Sequence, residues 1–153
     1  MIRERLNDRL RSAMKGREKR AVSTVRLILA AIKDRDIAAR GKGDSDGISD
    51  QEILQVLQTM VRQRHESISL YEQGGRLELA EQEAEEIVII ESFLPERLDE
   101  AATTEAIRTV VGEIGASSIK DMGRTMAILR ERYAGQIDFA KASAVVKAQL
   151  SAG

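Results

Sequence analysis

The sequence predicts an all-α protein in two parts: an N-terminal helical unit with a long antiparallel helix pair, followed by a C-terminal three-helix bundle. Three observations carry this. Aromatic residues are 3% of the chain, while Ala, Leu, Glu, Arg and Ile dominate, a composition that favours helix. Apolar residues recur at three- and four-residue spacing, and no stretch alternates with the period of a strand. The one proline, Pro95, follows the densest apolar run, Ile87–Val88–Ile89–Ile90 with Phe93 and Leu94. Proline lacks a backbone donor and disfavours helical geometry before it, so a helix arriving from Glu78 should stop near Leu94. The expected units are therefore 1–94 and 95–153. The apolar run is too broad for one narrow stripe, so its helix end is expected to be wedged between two packed bodies.

Residues 2–14 make the first helix, with Ile2, Leu6, Leu10 and Met14 inward and Gly16 as the break. A second runs from about Arg17 to Ala39 with Val25, Ile28, Leu29 and Ile32 inward, and Arg26 and Lys33 on its flanks. Between Arg40 and Gly47 the composition is that of a flexible loop. It lacks the order of a phosphate loop, and Ile48 breaks the alternation that Asp44 and Asp46 begin for a calcium loop. Ser49 and Glu52 form a capping box opening the longest helix, which carries Ile53, Val56, Leu57, Met60, Val61, Ile68 and Tyr71 to Gly74–Gly75. The short connection predicts an antiparallel hairpin with a fourth helix, inward at Leu77, Ala80, Ala84, Ile87 and Val88. Its outer face carries Glu78, Glu81, Glu83, Glu85, Glu86 and Glu91, a solvated face or a partner for the basic first helices.

After Pro95 a fifth helix spans about Asp99 to Gly115, inward at Ile107, Val110, Val111 and Ile114. Ser118 caps a sixth, with Asp121 reciprocating and Ile119, Met122, Met126, Leu129 and Tyr133 as its stripe to Gly135. Asp138 caps a seventh, with Ala142, Val145, Val146 and Leu150 facing in.

The net charge of -1 hides an asymmetry. Residues 1–42 hold 13 Lys/Arg against 5 Asp/Glu, a net of +8; residues 43–153 hold 11 against 20, a net of -9. A basic quarter of this kind suits nucleic acid, or an acidic surface in the same chain or on a partner. With no cysteine, disulfides and thiolate metal sites are excluded. No metal site or cofactor fingerprint is legible, and no membrane span or signal-peptide core appears, so a soluble cytoplasmic protein is expected. The only histidine, His65, sits beside Arg62 and Arg64 on the long helix with no nucleophile motif to serve. Catalysis by the chain alone has no residue to stand on.

The stretch around the sixth helix says more. Lys120, Arg124, Arg130 and Arg132 share the region with Gly123. A helical glycine costs about 1 kcal/mol relative to alanine, so close approach of another group would give it a reason. The candidates are a neighbouring helix and a phosphate at the helix N-terminus. With so few aromatic residues, RNA binding would read backbone and shape rather than stack bases.

The chain resembles the GatB/YqeY family, specifically its stand-alone YqeY-like proteins. The resemblance rests on TVRLILAAIKDRDI (24–37), SDQEILQVLQTMVRQRHESISLYEQGGR (49–76), ELAEQEAEEIVIIESFLPERL (78–98) and GASSIKDMGRTMAILRERYAGQIDFAKASAVVKAQL (115–150). Phe139 departs from it, because such proteins usually place glycine after the aspartate. The resemblance implies kinship with the tail domain of the B subunit of the tRNA-dependent amidotransferase, which helps hold the tRNA. Carbon–nitrogen ligase activity with glutamine as amide donor attaches to that family by association, since the catalytic portions lie elsewhere in the complex. The expected function is a non-catalytic tRNA-associated module, with an amidotransferase or another component of aminoacyl-tRNA synthesis as partner. Phosphate contacts are expected at Lys120, Arg124 and Lys147 beside Gly123, with Arg26 and Lys33 as weaker candidates. The alternative is a protein-interaction adaptor that binds no RNA.

Overall fold

The computed structural model describes residues 1–152, with only the backbone for Ala152. Among these residues it contains seven α-helices and one 3-10 turn, and no strand. The chain divides into two compact units, Met1–Pro95 and Glu96–Gly153.

The first unit holds α1 (Ile2–Lys15), α2 (Lys19–Gly41), α3 (Asp50–Gln73) and α4 (Leu77–Glu91). Arg9 pairs with Glu18 and Arg3 with Asp36, so α1 and α2 run antiparallel. The backbone N–H of Ile48 donates to Asp36, which returns the chain to the C-terminal end of α2 and starts α3 back along it. Gly74 and left-handed Gly75 then reverse the chain, and α4 packs along α3 as an antiparallel hairpin, parallel to α2. The core joins all four helices: Ile2 and Leu6, Val25, Ile28 and Ile32, Ile53, Val56, Leu57 and Met60, and Ile90 with Phe93. Thr24 is buried on α2 with no hydrogen-bond partner for its hydroxyl.

A polar clamp fixes one end of this unit. Arg3 meets Asp36 through two hydrogen bonds, Nη1 to Oδ2 at 2.9 Å and Nη2 to Oδ1 at 2.8 Å. This is the fork geometry that makes arginine–carboxylate pairs strong. Arg3 Nη2 also donates to the Ile48 carbonyl at 3.0 Å, and the Ile48 N–H donates to Asp36 Oδ1 at 2.9 Å. The Arg3 guanidinium, helped by that N–H, holds the Asp36 carboxyl down at about 2. The end of the 40–47 loop is thus a structural joint rather than a slack connector.

The second unit holds α5 (Glu100–Ile114), a 3-10 turn (Ile119–Asp121), α6 (Met122–Arg132) and α7 (Phe139–Ala152). The three α-helices pack on one another around Ile107, Val110, Met126, Leu129, Ile137, Ala142, Val146 and Leu150. Gly115 closes α5 in the left-handed conformation that favours glycine, at φ 64°. The strand of chain leading in is tied down by the Leu98 N–H on the Gln136 carbonyl at 2.9 Å.

Five residues read as inward are exposed: Met14, Leu77, Ala84, Val88 and Ile119. A strict four-residue spacing gains about 40° per step on an α-helix, so by Met14 the stripe has rotated off the core and Ala13 replaces it. In Ile87–Ile90 a helix turns only two of four consecutive side chains fully inward; these are Ile87 and Ile90, and Val88 is 70% exposed. Leu77 opens α4 at the hairpin tip, and Ile119 lies in the 3-10 turn outside the regular stripe. The helix before Pro95 ends at Glu91, with Ser92 as its cap, and Phe93 is buried in the core of the first unit. The Ser49 box is also incomplete. Its hydroxyl accepts the Glu52 N–H, but the Glu52 carboxylate takes the Ser49 hydroxyl rather than its backbone N–H.

Candidate functional site

The region around α6 is assembled by its entry turn. Ser118 Oγ accepts the Lys120 N–H at 3.3 Å, and Asp121 Oδ2 accepts the N–H groups of Ser117 and Ser118 at 3.0 and 3.4 Å. This is a full reciprocal capping box, and it lowers the Asp121 carboxyl below the ordinary value, the Ser117 N–H being the largest cause. Thr125 is buried and donates to the Asp121 carbonyl at 2.9 Å, which anchors the turn to the helix.

The box leaves the Lys120 side chain exposed. Lys147 is exposed on α7, the helix that packs against the 3-10 turn carrying Lys120. Neither lysine has an ion-pair partner among the described residues. Arg124 is engaged: its Nη2 donates to the Ile114 carbonyl at 2.8 Å and lies 3.8 Å from Asp121 Oδ1. It therefore closes the C-terminal end of α5, where free carbonyls favour a cation. Its side chain is still 58% exposed, so part of the guanidinium faces solvent.

Gly123 is exposed, and a Cβ built there meets nothing within 4 Å. A neighbouring helix is therefore not its reason. Arg26 and Lys33 are exposed on α2 in the first unit. The six candidate positions thus belong to two bodies: Lys120, Gly123, Arg124 and Lys147 to one, Arg26 and Lys33 to the other.

Two features went unread in the sequence. A cavity of about 510 Å³ opens beside the N-terminal ends of α5 and α7, lined by Arg97, Leu98, Asp99, Thr103, Asp138 and Lys141 among others. Both helix ends already take a carboxylate: Asp99 accepts the Ala102 N–H at 2.7 Å and Asp138 the Ala140 N–H at 3.0 Å. Two resident anions make this a poor seat for phosphate. The second feature is a half-buried charge cluster between α3 and α4. Arg64 Nε donates to Glu86 at 2.8 Å and lies 3.8 Å from Glu83, with Nη1 on the Met60 carbonyl at 3.2 Å. Burial, and then the nearby Glu86, push the Glu83 carboxyl up.

The acidic face of α4 is accordingly not one solvated surface. Glu83 and Glu86 turn to Arg64, Glu85 meets Arg20 of α2 at 3.2 Å, and Glu78 meets Arg76. His65 is exposed beside this cluster and outside it. Phe139 opens α7 half-buried against the core of the second unit, with the Arg130 guanidinium 5.9 Å from its ring centre. Among the described residues, no group of three His, Asp or Glu side chains is placed to hold a metal ion. None of their helices is long and apolar enough to cross a membrane.

Comparison with known proteins agrees with this architecture. The family model described as Yqey-like protein matches residues 3–150. An uncharacterized protein of Schizosaccharomyces pombe is 31% identical over 96 residues, covering 63% of this chain and 71% of that protein. The match runs through both units, including the capped entry to α6, so the chain belongs to the YqeY-like family, whose domain is related to the GatB tail.

Proposed function

We propose that the chain is a tRNA-associated helical module, accessory to tRNA-dependent amidation and not catalytic by itself. The observation that carries this reading is the family relationship to the amidotransferase B-subunit tail. Two exposed lysines without ion-pair partners, Lys120 and Lys147, sit on elements that pack together and would meet backbone phosphates. Gly123 leaves open space beside these residues at the start of α6. Arg124 would contribute its exposed part. Arg26 and Lys33 lie on a stripe that alternates with Ala30 and Ile37, which suits a protein surface better than a phosphate chain.

The test is fluorescence anisotropy of the pure protein with labelled total tRNA at two salt concentrations. Binding at micromolar concentrations that weakens with salt is expected. Reversing both lysines, Lys120→Glu with Lys147→Glu, should lower the salt slope by about 2. An unchanged slope removes this site, and absence of binding at low salt replaces the reading with that of a protein adaptor.

A further inference from the structure

The turn between α1 and α2 is cationic, and its backbone is strained at one position. Arg17 has φ 55°, and among the described residues no other side chain stands in the left-handed region. Its N–H donates to the Met14 carbonyl at 3.3 Å, and the Glu18 N–H donates to the Ala13 carbonyl at 2.9 Å. That pair of bonds closes a helix, and it usually puts glycine at the left-handed position. Here Gly16 stands one place earlier, with an ordinary helical φ of -81°. The chain therefore carries a cation where a glycine would be easier. Packing supplies no reason for it. The Arg17 side chain is exposed, and no ion pair or hydrogen bond engages it among the described residues.

Lys15 and Lys19 flank Arg17 and are equally exposed and unpaired among the described residues. The carboxylate within the turn is taken: Glu18 accepts both Nη1 and Nη2 of Arg9, at 2.9 and 3.1 Å. The neighbouring cations are matched, Arg11 with Asp8 and Arg20 with Glu85. The acidic helix α4 meets α2 on the side of Arg20, whereas Lys19 points about 100° around the helix from there. By the same helical phase, Lys19 lies opposite the buried Ala21, Val25 and Ile28 of α2, and Lys15 lies opposite Ile2, Leu6 and Ala13 of α1. Three unmatched cations thus share one hairpin end and face away from the core.

We propose that the α1–α2 turn contacts the phosphate backbone of RNA through Lys15, Arg17 and Lys19. This rests on the tRNA reading above and adds a contact on the first unit, apart from Lys120 and Lys147. A protein partner fits this surface less well. The large apolar group exposed at the turn is Met14, at 52%, too little for the apolar centre of a protein interface. A phosphate backbone draws its affinity from cations alone. The guanidinium at position 17 adds a planar fork that can take two phosphate oxygens, which gives arginine a use there that glycine lacks.

Fluorescence anisotropy of the full chain with labelled total tRNA, over a series of salt concentrations, tests the contact. Lys15→Gln, Arg17→Gly and Lys19→Gln together should lower the salt slope by about 2–3. Arg17→Gly alone should lower it by about 1. It should also raise the melting temperature by about 2–4 °C, because glycine takes the left-handed position freely. An arginine strained there without a role would show the gain in stability and an unchanged slope. An unchanged slope in the triple variant, beside a slope that Lys120→Glu with Lys147→Glu does lower, overturns this contact and leaves the tRNA reading standing. A slope lowered by the turn variants alone supports this contact and removes the lysines of the second unit. Absence of tRNA binding by the unaltered chain at low salt removes both. Binding to vesicles of anionic lipid that the triple variant loses while it keeps its tRNA slope assigns the turn to a membrane surface and overturns the proposal.

Discussion

The two units hold themselves together with different chemistry. In the first, charge is drawn inward: Arg3 with Asp36, and Arg64 with Glu86, whose side chains are only 13% and 16% exposed. In the second, the ion pairs Arg108–Glu105, Arg132–Glu113 and Arg124–Asp121 stay near the surface, and fixing falls to an apolar core and capped helix ends. Half-buried pairs with extra hydrogen bonds matter individually, whereas exposed pairs contribute little. The contrast teaches where each unit is vulnerable: the first at a few charged joints, the second at its small core.

The largest effect should come from that small core. Leu129 is fully buried, and Leu129→Ala should cost about 3 kcal/mol. Hydrogen exchange with mass spectrometry should show amides of 96–152 losing protection while those of 1–95 keep theirs. Loss of protection throughout would mean that the units do not open separately, and the comparison would fail.

Removing the first unit's clamp comes next. Asp36→Ala should cost about 2 kcal/mol in denaturant unfolding. The Asp36 carboxyl is lowered from 3.8 to about 2, so its stabilisation is complete above 3.8 and is lost as pH falls toward 2. The variant should flatten that part of the pH profile. Glu83 has the opposite sign: its raised value favours the fold at low pH, a contribution lost as pH rises through that value.

The smallest effects come from two glycines, one in each unit. At Gly47, with φ +84°, a Cβ would lie 2.9 Å from Asp36 Oδ1 and 3.1 Å from Arg3 Nη2. Gly47→Ala should therefore cost about 1–2 kcal/mol and strike the clamp itself. Gly123 is helical and open, and Gly123→Ala should raise stability by up to about 1 kcal/mol. Thermal melts of the pair read both signs, and a loss at Gly123 would reveal a constraint that the packing does not contain.

Much of the fold was legible. Helix type and order followed from the periodicity of residues such as Val25, Ile28 and Ile32, which stayed on the core face because their spacing mixes threes and fours. Met14 shows the limit, since a run of fours drifts off the face. Ile48 and Ile137 were passed over because they precede helices, yet both are buried, at 7% and 1% exposure. Each stands just before an N-cap, Ser49 or Asp138, and shares a core with the residue five positions on, Ile53 or Ala142. That is the pattern of a hydrophobic staple, and it was there to be read. The site was less legible. Exposure of Lys120 follows from the capping box, but the use of Arg124 on the Ile114 carbonyl depends on how α5 and α6 cross. Arg64 likewise looked like a surface arginine until α4 supplied its carboxylates.

The Arg3–Asp36–Ile48 clamp also bears on the order in which the chain takes shape. Every group in it lies within the first 48 residues, while the core around it waits for Ile90 and Phe93. During synthesis, the α1–α2 hairpin and its outgoing loop can therefore be registered against each other before α4 has left the ribosome. The chain then arrives at the slower task of long-range closure with its starting point already set.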